Sequence, residues 1–225
     1  MPFELLIDPV TRIEGHLSVK VMADGEKVVD AFCTGTLWRG LERIVLGRDP
    51  RDAPTILSRI CGVCHEVHRL TSILAIEDAV NVTPPPKAVR IRNVIQGITA
   101  IYSHAAHLLL LAGPDYAVYG LAGKEHPNEL DLDLDKYYDL LRRYVLPAQR
   151  LCHEALAVFS GKVPHHQTTL VGGVTATPRV DEIGKAYVKM KEVGEIVNFV
   201  YSYVKDQFIP HMVQEHADVV EALLE

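Results

Sequence analysis

The sequence predicts a mainly helical chain with a small β element at its N-terminus, α+β in class. Three observations predict it. Residues 16–22 and 27–34 alternate apolar and polar side chains on either side of Asp24-Gly25, the pattern of a β-hairpin. From residue 65 onward the apolar positions recur at helical rather than strand spacing. Residues 87–112 are apolar on most faces, which predicts a long buried helix. The whole of 1–225 reads as one domain, with a β-rich element over 1–36 and a helical part over 37–225.

The helices follow in order. Val67, Leu70, Ile73, Leu74 and Ile76 mark one over 65–80. The triple proline 84–86 breaks it and favours the start of the next. Gly113-Pro114 should end that second helix. Residues 135–159 predict a third, kinked or divided at Pro147, whose ring blocks the preceding turn. Ser160 to Pro178, rich in Gly, His and Thr, reads as a loop. An amphipathic helix over 181–208, interrupted at Gly194 and closed by Pro210, and one more over 211–224 complete the chain.

Composition narrows the function. With 48% hydrophobic and 23% charged residues, 225 residues can bury a substantial core. A net charge of -6 and the lack of a Lys/Arg tract exclude a general nucleic-acid binder. Met1-Pro2-Phe3-Glu4 has no basic region followed by an apolar stretch, so no signal peptide is visible, which fits a cytoplasmic chain unless a partner exports or tethers it. The longest purely apolar run, Leu108 to Ala112, is too short to span a bilayer, so the chain is expected not to be transmembrane itself. Four cysteines (Cys33, Cys61, Cys64 and Cys152) are too few for a disulfide scaffold of this size and suit metal or redox chemistry in a reducing compartment.

The sharpest local feature is Arg59-Ile60-Cys61-Gly62-Val63-Cys64-His65-Glu66-Val67-His68. Two thiols three residues apart at a helix start can converge on one soft or borderline metal, and both the helix N-terminus and Arg59 should favour the thiolate. Four readings remain open on the spacing alone. A structural zinc site would need further ligands, with His65 or His68 as candidates. A thioredoxin-like pair should follow a strand, and the surroundings are helical. Cys61-Gly62-Val63-Cys64-His65 also matches the c-type haem signature. The plainest reading is a pair of buried, reduced cysteines.

The pair has company. Asp8-Pro9-Val10-Thr11-Arg12-Ile13-Glu14-Gly15-His16 stands near the N-terminus. Trp38-Arg39-Gly40-Leu41-Glu42 and Gly47-Arg48-Asp49-Pro50-Arg51-Asp52-Ala53 lie between it and the cysteines. In this order and spacing the segments closely resemble the large subunit of nickel–iron hydrogenases. Ser103-His104-Ala105-Ala106-His107, Pro164-His165-His166-Gln167-Thr168 and Gly172-Gly173-Val174-Thr175 extend the resemblance through most of the chain.

The resemblance implies an incomplete hydrogenase large-subunit-like helical core, and roles for particular residues. Cys61 would be a terminal nickel ligand and Cys64 a bridge between nickel and iron, the iron carrying carbon monoxide and cyanide. Glu14 would transfer protons; otherwise it is a structural ion-pair partner of Arg12. Glu42 would bind a second metal, magnesium or iron; otherwise it is a solvated glutamate beside Arg39 or Arg43. His68, one helical turn beyond Cys64, would hydrogen-bond a cysteine ligand; otherwise it is a satisfied core histidine. His104, His107, His165 and His166 are expected to be structural or supporting.

The family's other CxxC is not seen after Cys152. The expectation is therefore a fragment or a split large subunit, with a C-terminal half supplying the second CxxC across a large apolar interface. Electrons would leave through iron–sulfur clusters on a small subunit, since this chain has too few cysteines for such a relay. Ser103 stands where many respiratory members have aspartate, which leaves the subgroup open. The implied reaction is the reversible oxidation of H2 to protons and electrons. The alternative is a non-catalytic scaffold subunit of a related redox complex.

Overall fold

The computed structural model describes residues 2–114, 134–203 and 205–206. Three antiparallel strands open the chain: β1 (Pro2–Val10), β2 (Leu17–Asp24) and β3 (Lys27–Gly35), in the order β1-β2-β3. The expected hairpin is β2–β3, turning at Gly25, whose φ of 61° favours a residue without Cβ. Strand β1 was not anticipated. Its side chains Phe3, Leu5 and Ile7 pair with Ala23, Val21 and Val19 of β2 and form an apolar face that stays largely exposed.

Helix α1 (Leu41–Ile44) and helix α2 (Ala53–Leu57) are short, and 3-10 turns at Pro50–Asp52 and Ser58–Ile60 flank α2. Helix α3 (His65–Ala79) matches expectation. It stops just before Asn81, a residue in the left-handed conformation at φ 52°, and the chain then enters the prolines. Helix α4 (Pro86–Ala106) has proline in its first turn, where no N–H is needed, and continues as a π turn over His107–Ala112. Residues 113 and 114 are still helical, so the expected stop at Gly113-Pro114 is not seen within the described residues.

Helix α5 (Leu134–Leu140), a π turn over Leu141–Val145 and helix α6 (Leu146–Ser160) take the place of the single divided helix. The division falls at Pro147, as the missing N–H requires. Gly161, at φ 78°, ends α6 in the position where glycine is favoured. The loop that follows contains a minimal hairpin, β4 (Thr169–Leu170) and β5 (Gly173–Val174). Helix α7 (Val180–Tyr203) runs through Gly194 without a break. The expected stop at Pro210 and helix over 211–224 lie outside the described residues.

The core sits between α4, α6 and α7. Ile91, Ile95, Ile98 and Tyr102 meet Leu151, Cys152, Ala155, Leu156 and Phe159, with Ala186 and Val193 closing the third side. Pro86–Ala112, 27 residues, is long and apolar enough by length and composition to cross a membrane. The sequence reading weighed only the run 108–112 and missed this. In the fold one face of the helix packs in the core and carries the buried Arg92, while Val89, Val94, Ile101, Leu108 and Leu110 remain at least a third exposed. The described residues of this chain cover a single face of the helix.

One ion pair joins α3 to α4. Arg92 donates through Nη1 and Nη2 to the two carboxylate oxygens of Glu77, at 2.9 and 2.7 Å, and both residues are buried. Arg92 Nη2 also donates to the Leu170 and Gly173 carbonyls, and the Gly172 N–H donates to Glu77. The guanidinium beside it and the Gly172 N–H hold the Glu77 carboxyl below the usual carboxylate range. Removing one partner leaves the other charge buried and unpaired. Arg92→Met is therefore expected to lower the unfolding free energy by about 3–5 kcal/mol in chemical denaturation. A loss below 1 kcal/mol would show that the pair carries little of the fold.

Candidate metal centre

The cysteines lie where the 3-10 turn ends and α3 begins. Cys61 is extended, at φ -145° and ψ 142°, and Cys64 precedes the first turn of α3. The turn closes on sulfur: the N–H groups of Val63 and Cys64 both donate to Cys61 Sγ at 3.3 Å. Cys64 is half-buried. Burial first, then a thiol hydrogen bond to Cys61 and the Cys61 charge, push Cys64 up to about 12. Glu14 contributes in the same direction, least of the causes. At Cys64 the expectation that Arg59 and the helix start favour the thiolate is thus corrected: desolvation and the neighbouring sulfur favour the thiol.

Two neighbouring thiols, one of them the target of two N–H donors, are a donor pair that a bound cation can share. The donor set therefore fits a soft or borderline metal. It is also partial: no cluster of three or more His, Cys, Asp or Glu suited to a metal occurs among the described residues.

Distant side chains hold the backbone around the pair. Arg39 Nη2 donates to the Arg59 carbonyl at 3.0 Å and also to the Ile60 carbonyl. The His165 Nδ1 lies 2.9 Å from the Ser58 carbonyl. Tyr102, from α4, donates its hydroxyl to the Val63 carbonyl at 3.0 Å. His107, at the end of α4, has Nε2 2.9 Å from the Arg12 carbonyl. That bond fastens the loop carrying Glu14, in which Arg12 adopts φ 63°. The motif reading gave none of these four side chains a specific contact. For Tyr102 there was a signal, because a tyrosine inside an apolar helix must find a partner for its hydroxyl.

The other expected residues are placed as follows. Glu42, on α1, is exposed and accepts from the Trp38 indole N–H, which lowers its carboxyl; the Arg43 guanidinium lies 5.1 Å from the Trp38 ring centroid. The structure thus gives Glu42 an indole partner and sets it in the same short segment as Arg39. His68 is half-buried, and its N–H donates to the Cys64 carbonyl at 3.3 Å; its ring has no hydrogen bond among the described residues. His104 is exposed on α4.

Behind the cysteines lies a buried polar layer. The His65 ring packs against His165 and His166, with centroids 5.4 and 5.8 Å away. Burial pushes His65 down to about 4 and His166 down to about 3. Glu66 is fully buried, neither of its oxygens has a partner among the described residues, and burial raises it to about 7. Arg69, also buried, is satisfied by the Thr169 carbonyl and hydroxyl and by the Thr55 hydroxyl.

These features define a class: a helical scaffold that presents a thiol pair as part of a metal site. The comparisons agree. The profile described as "Nickel-dependent hydrogenase" matches residues 39–131 and 119–218, and one described as "HoxL-like" matches 4–33. The periplasmic NiFeSe hydrogenase large subunit of Desulfomicrobium baculatum is 38% identical over 208 residues, 86% of this chain and 40% of that protein. The hydrogenase-2 large chain of Escherichia coli K12 is 33% identical, over 82% of this chain and 41% of that one. The reduced Ni-Fe-Se hydrogenase structure from D. vulgaris Hildenborough superposes with a TM-score of 0.69 at 33% identity, over 97% of this chain and 46% of that one. The chain belongs to the nickel-dependent hydrogenase family, a family of oxidoreductases whose large subunit is built around a nickel–iron centre. It spans less than half the length of the curated relatives it matches.

Neutral burial of His166 has a consequence for pH. Its folded value of about 3 lies below the unfolded value of about 6.5, so the unfolded chain binds the extra proton between them. The stability is present above pH ~6.5 and lost as pH falls, at up to about 1.4 kcal/mol per unit. His166→Gln is expected to flatten the stability–pH profile between about pH 6 and 4 by close to one proton. Parallel profiles for the parent and the variant would contradict it.

Proposed function

We propose that this chain supplies Cys61 and Cys64 to the nickel–iron centre of a hydrogenase that interconverts H2 with protons and electrons. The observation that carries the reading is the thiol pair itself: two cysteines closed into one turn by two N–H groups on Cys61 Sγ. When bound, the metal pair supplies a soft Lewis acid that polarises H2 and accepts its electrons, with carbon monoxide and cyanide completing the iron. Cys61 and Cys64 would both hold the nickel, with Cys64 the sulfur that iron would share.

Glu14 is the proton carrier. Its carboxylate is exposed and its charge is felt at the Cys64 thiol, which supports an exchange of protons between the site and solvent. His68, one turn along α3 with a ring free of other hydrogen bonds among the described residues, orients a cysteine ligand. Glu42, kept ionised by the Trp38 indole, contributes a hard oxygen ligand to a second metal, magnesium or iron.

The two further thiolates come from the C-terminal half of a large subunit, on a second polypeptide or on a continuation of this one. A small subunit carries the iron–sulfur clusters, for which the four cysteines here are too few. The exposed apolar side chains along α4 and β1 support an interface of that kind.

The test is metal analysis of the complex purified without oxygen from its native host. About one nickel per chain is expected, and Cys64→Ser should abolish it. Glu14→Gln should keep the nickel and lose turnover by on the order of 10²–10⁴-fold. An intact complex without nickel would sink this reading and leave a non-catalytic scaffold in its place.

A further inference from the structure

The bond from Tyr102 reaches further than the carbonyl that accepts it. Val63 and Cys64 share one peptide group. Its carbonyl accepts from the Tyr102 hydroxyl at 3.0 Å, and its N–H, on Cys64, donates to Cys61 Sγ at 3.3 Å. The peptide is planar, so its C=O and N–H turn together. Holding the carbonyl from α4 therefore fixes the direction of an N–H aimed at a sulfur. Hydrogen bonds in such a chain also polarise one another, the more so in a low dielectric. Tyr102 is thus one peptide plane away from a metal-binding sulfur, although it comes from a helix 39 residues further along.

The donor is rigid. Tyr102 is 2% exposed, belongs to the core formed with Leu151, Cys152 and Leu156, and stands edge-on to His153 with ring centroids 5.0 Å apart. Burial raises its hydroxyl to about 12, so it remains a donor across the working pH range. A tyrosine that merely filled the core would not need its oxygen on a carbonyl whose peptide aims its N–H at Cys61 Sγ.

We infer that Tyr102 is a positioning residue for the Cys61–Cys64 pair, acting through the Val63–Cys64 peptide on the Cys61 sulfur and hence on the nickel it holds. The inference rests on the nickel–iron reading above. It goes beyond it in giving a residue outside the motifs control over the electronic state of a ligand.

The test is Tyr102→Phe in the whole complex, which keeps the ring and its edge contact and removes only the hydroxyl. Nickel content should stay close to that of the parent. The nickel paramagnetic resonance spectrum should shift in its g values. The kcat should fall about 10-fold or more while KM for H2 holds, the scale typical of hydrogen bonds supporting a metal ligand. Tyr144→Phe, whose ring stacks on Phe199 at 4.2 Å, away from the turn, is the control and should leave all three unchanged.

An unshifted spectrum with parental kcat in a nickel-loaded Tyr102→Phe complex would overturn the inference and leave the parent reading intact. A parent complex without nickel would overturn the parent reading instead. If Tyr102→Phe does not assemble, 3-fluorotyrosine at position 102 carries the test. It keeps the contact and strengthens the donor, so a shifted spectrum supports the role and an identical one removes it.

Discussion

The bidentate pair between Glu77 and Arg92 is the contact on which the remainder of the arrangement hangs. Two charges in an interior are costly unless each lone pair and proton is matched. Here the surplus donors and acceptors are taken up by a third element: the Leu170 and Gly173 carbonyls accept from Arg92, and the Gly172 N–H donates to Glu77. The pair therefore does more than join α3 to α4. It fixes the small hairpin β4–β5 against both. Arg69, two turns nearer the start of α3, grips the same hairpin at Thr169.

From there the constraint passes to the cysteines. With Thr169 held, the preceding segment is held too, and His166 bonds the Thr169 hydroxyl at 2.6 Å. Its neighbour His165, at φ 60°, turns the other way and meets the Ser58 carbonyl, three residues before Cys61. Arg39 holds the next two carbonyls and Tyr102 the one beyond Gly62. The approach to the thiol pair is thus tied by three side chains from three different parts of the chain. A metal ligand held this way needs little reorganisation to receive its ion, which is the condition for a geometry imposed by the protein.

This pattern explains which features could be read from the sequence. Helices α3, α6 and α7 were legible because periodicity and proline are local signals. Strand β1 was passed over because Phe3-Glu4-Leu5-Leu6-Ile7 breaks strict alternation at Leu6, and its apolar side chains remain exposed rather than buried. In α4, apolar residues on several faces suggested burial all round, but a sequence does not say whether the covering surface is part of the same chain. The cysteine pair and Glu14 were legible as motifs. The tethers were not, because they join residues 20 to 107 positions apart and depend on the tertiary path. Glu42 was assigned by motif, yet nothing in the spacing revealed that the Trp38 indole would satisfy it.

The electrostatics of the pair follow from the same packing. A helix N-terminus stabilises a thiolate only where its N–H groups point at that sulfur. Here both nearby N–H groups are spent on Cys61, and Cys64 is left with desolvation, a second sulfur and the Glu14 carboxylate, all of which favour its protonated form. The asymmetry is chemical as well as geometric. Cys61 Sγ accepts two N–H groups, and Cys64 holds its proton until a cation replaces it. A cation binding at Cys64 must then displace that proton. The packing that makes Cys64 a poor free thiolate therefore makes metal binding at this sulfur depend on pH.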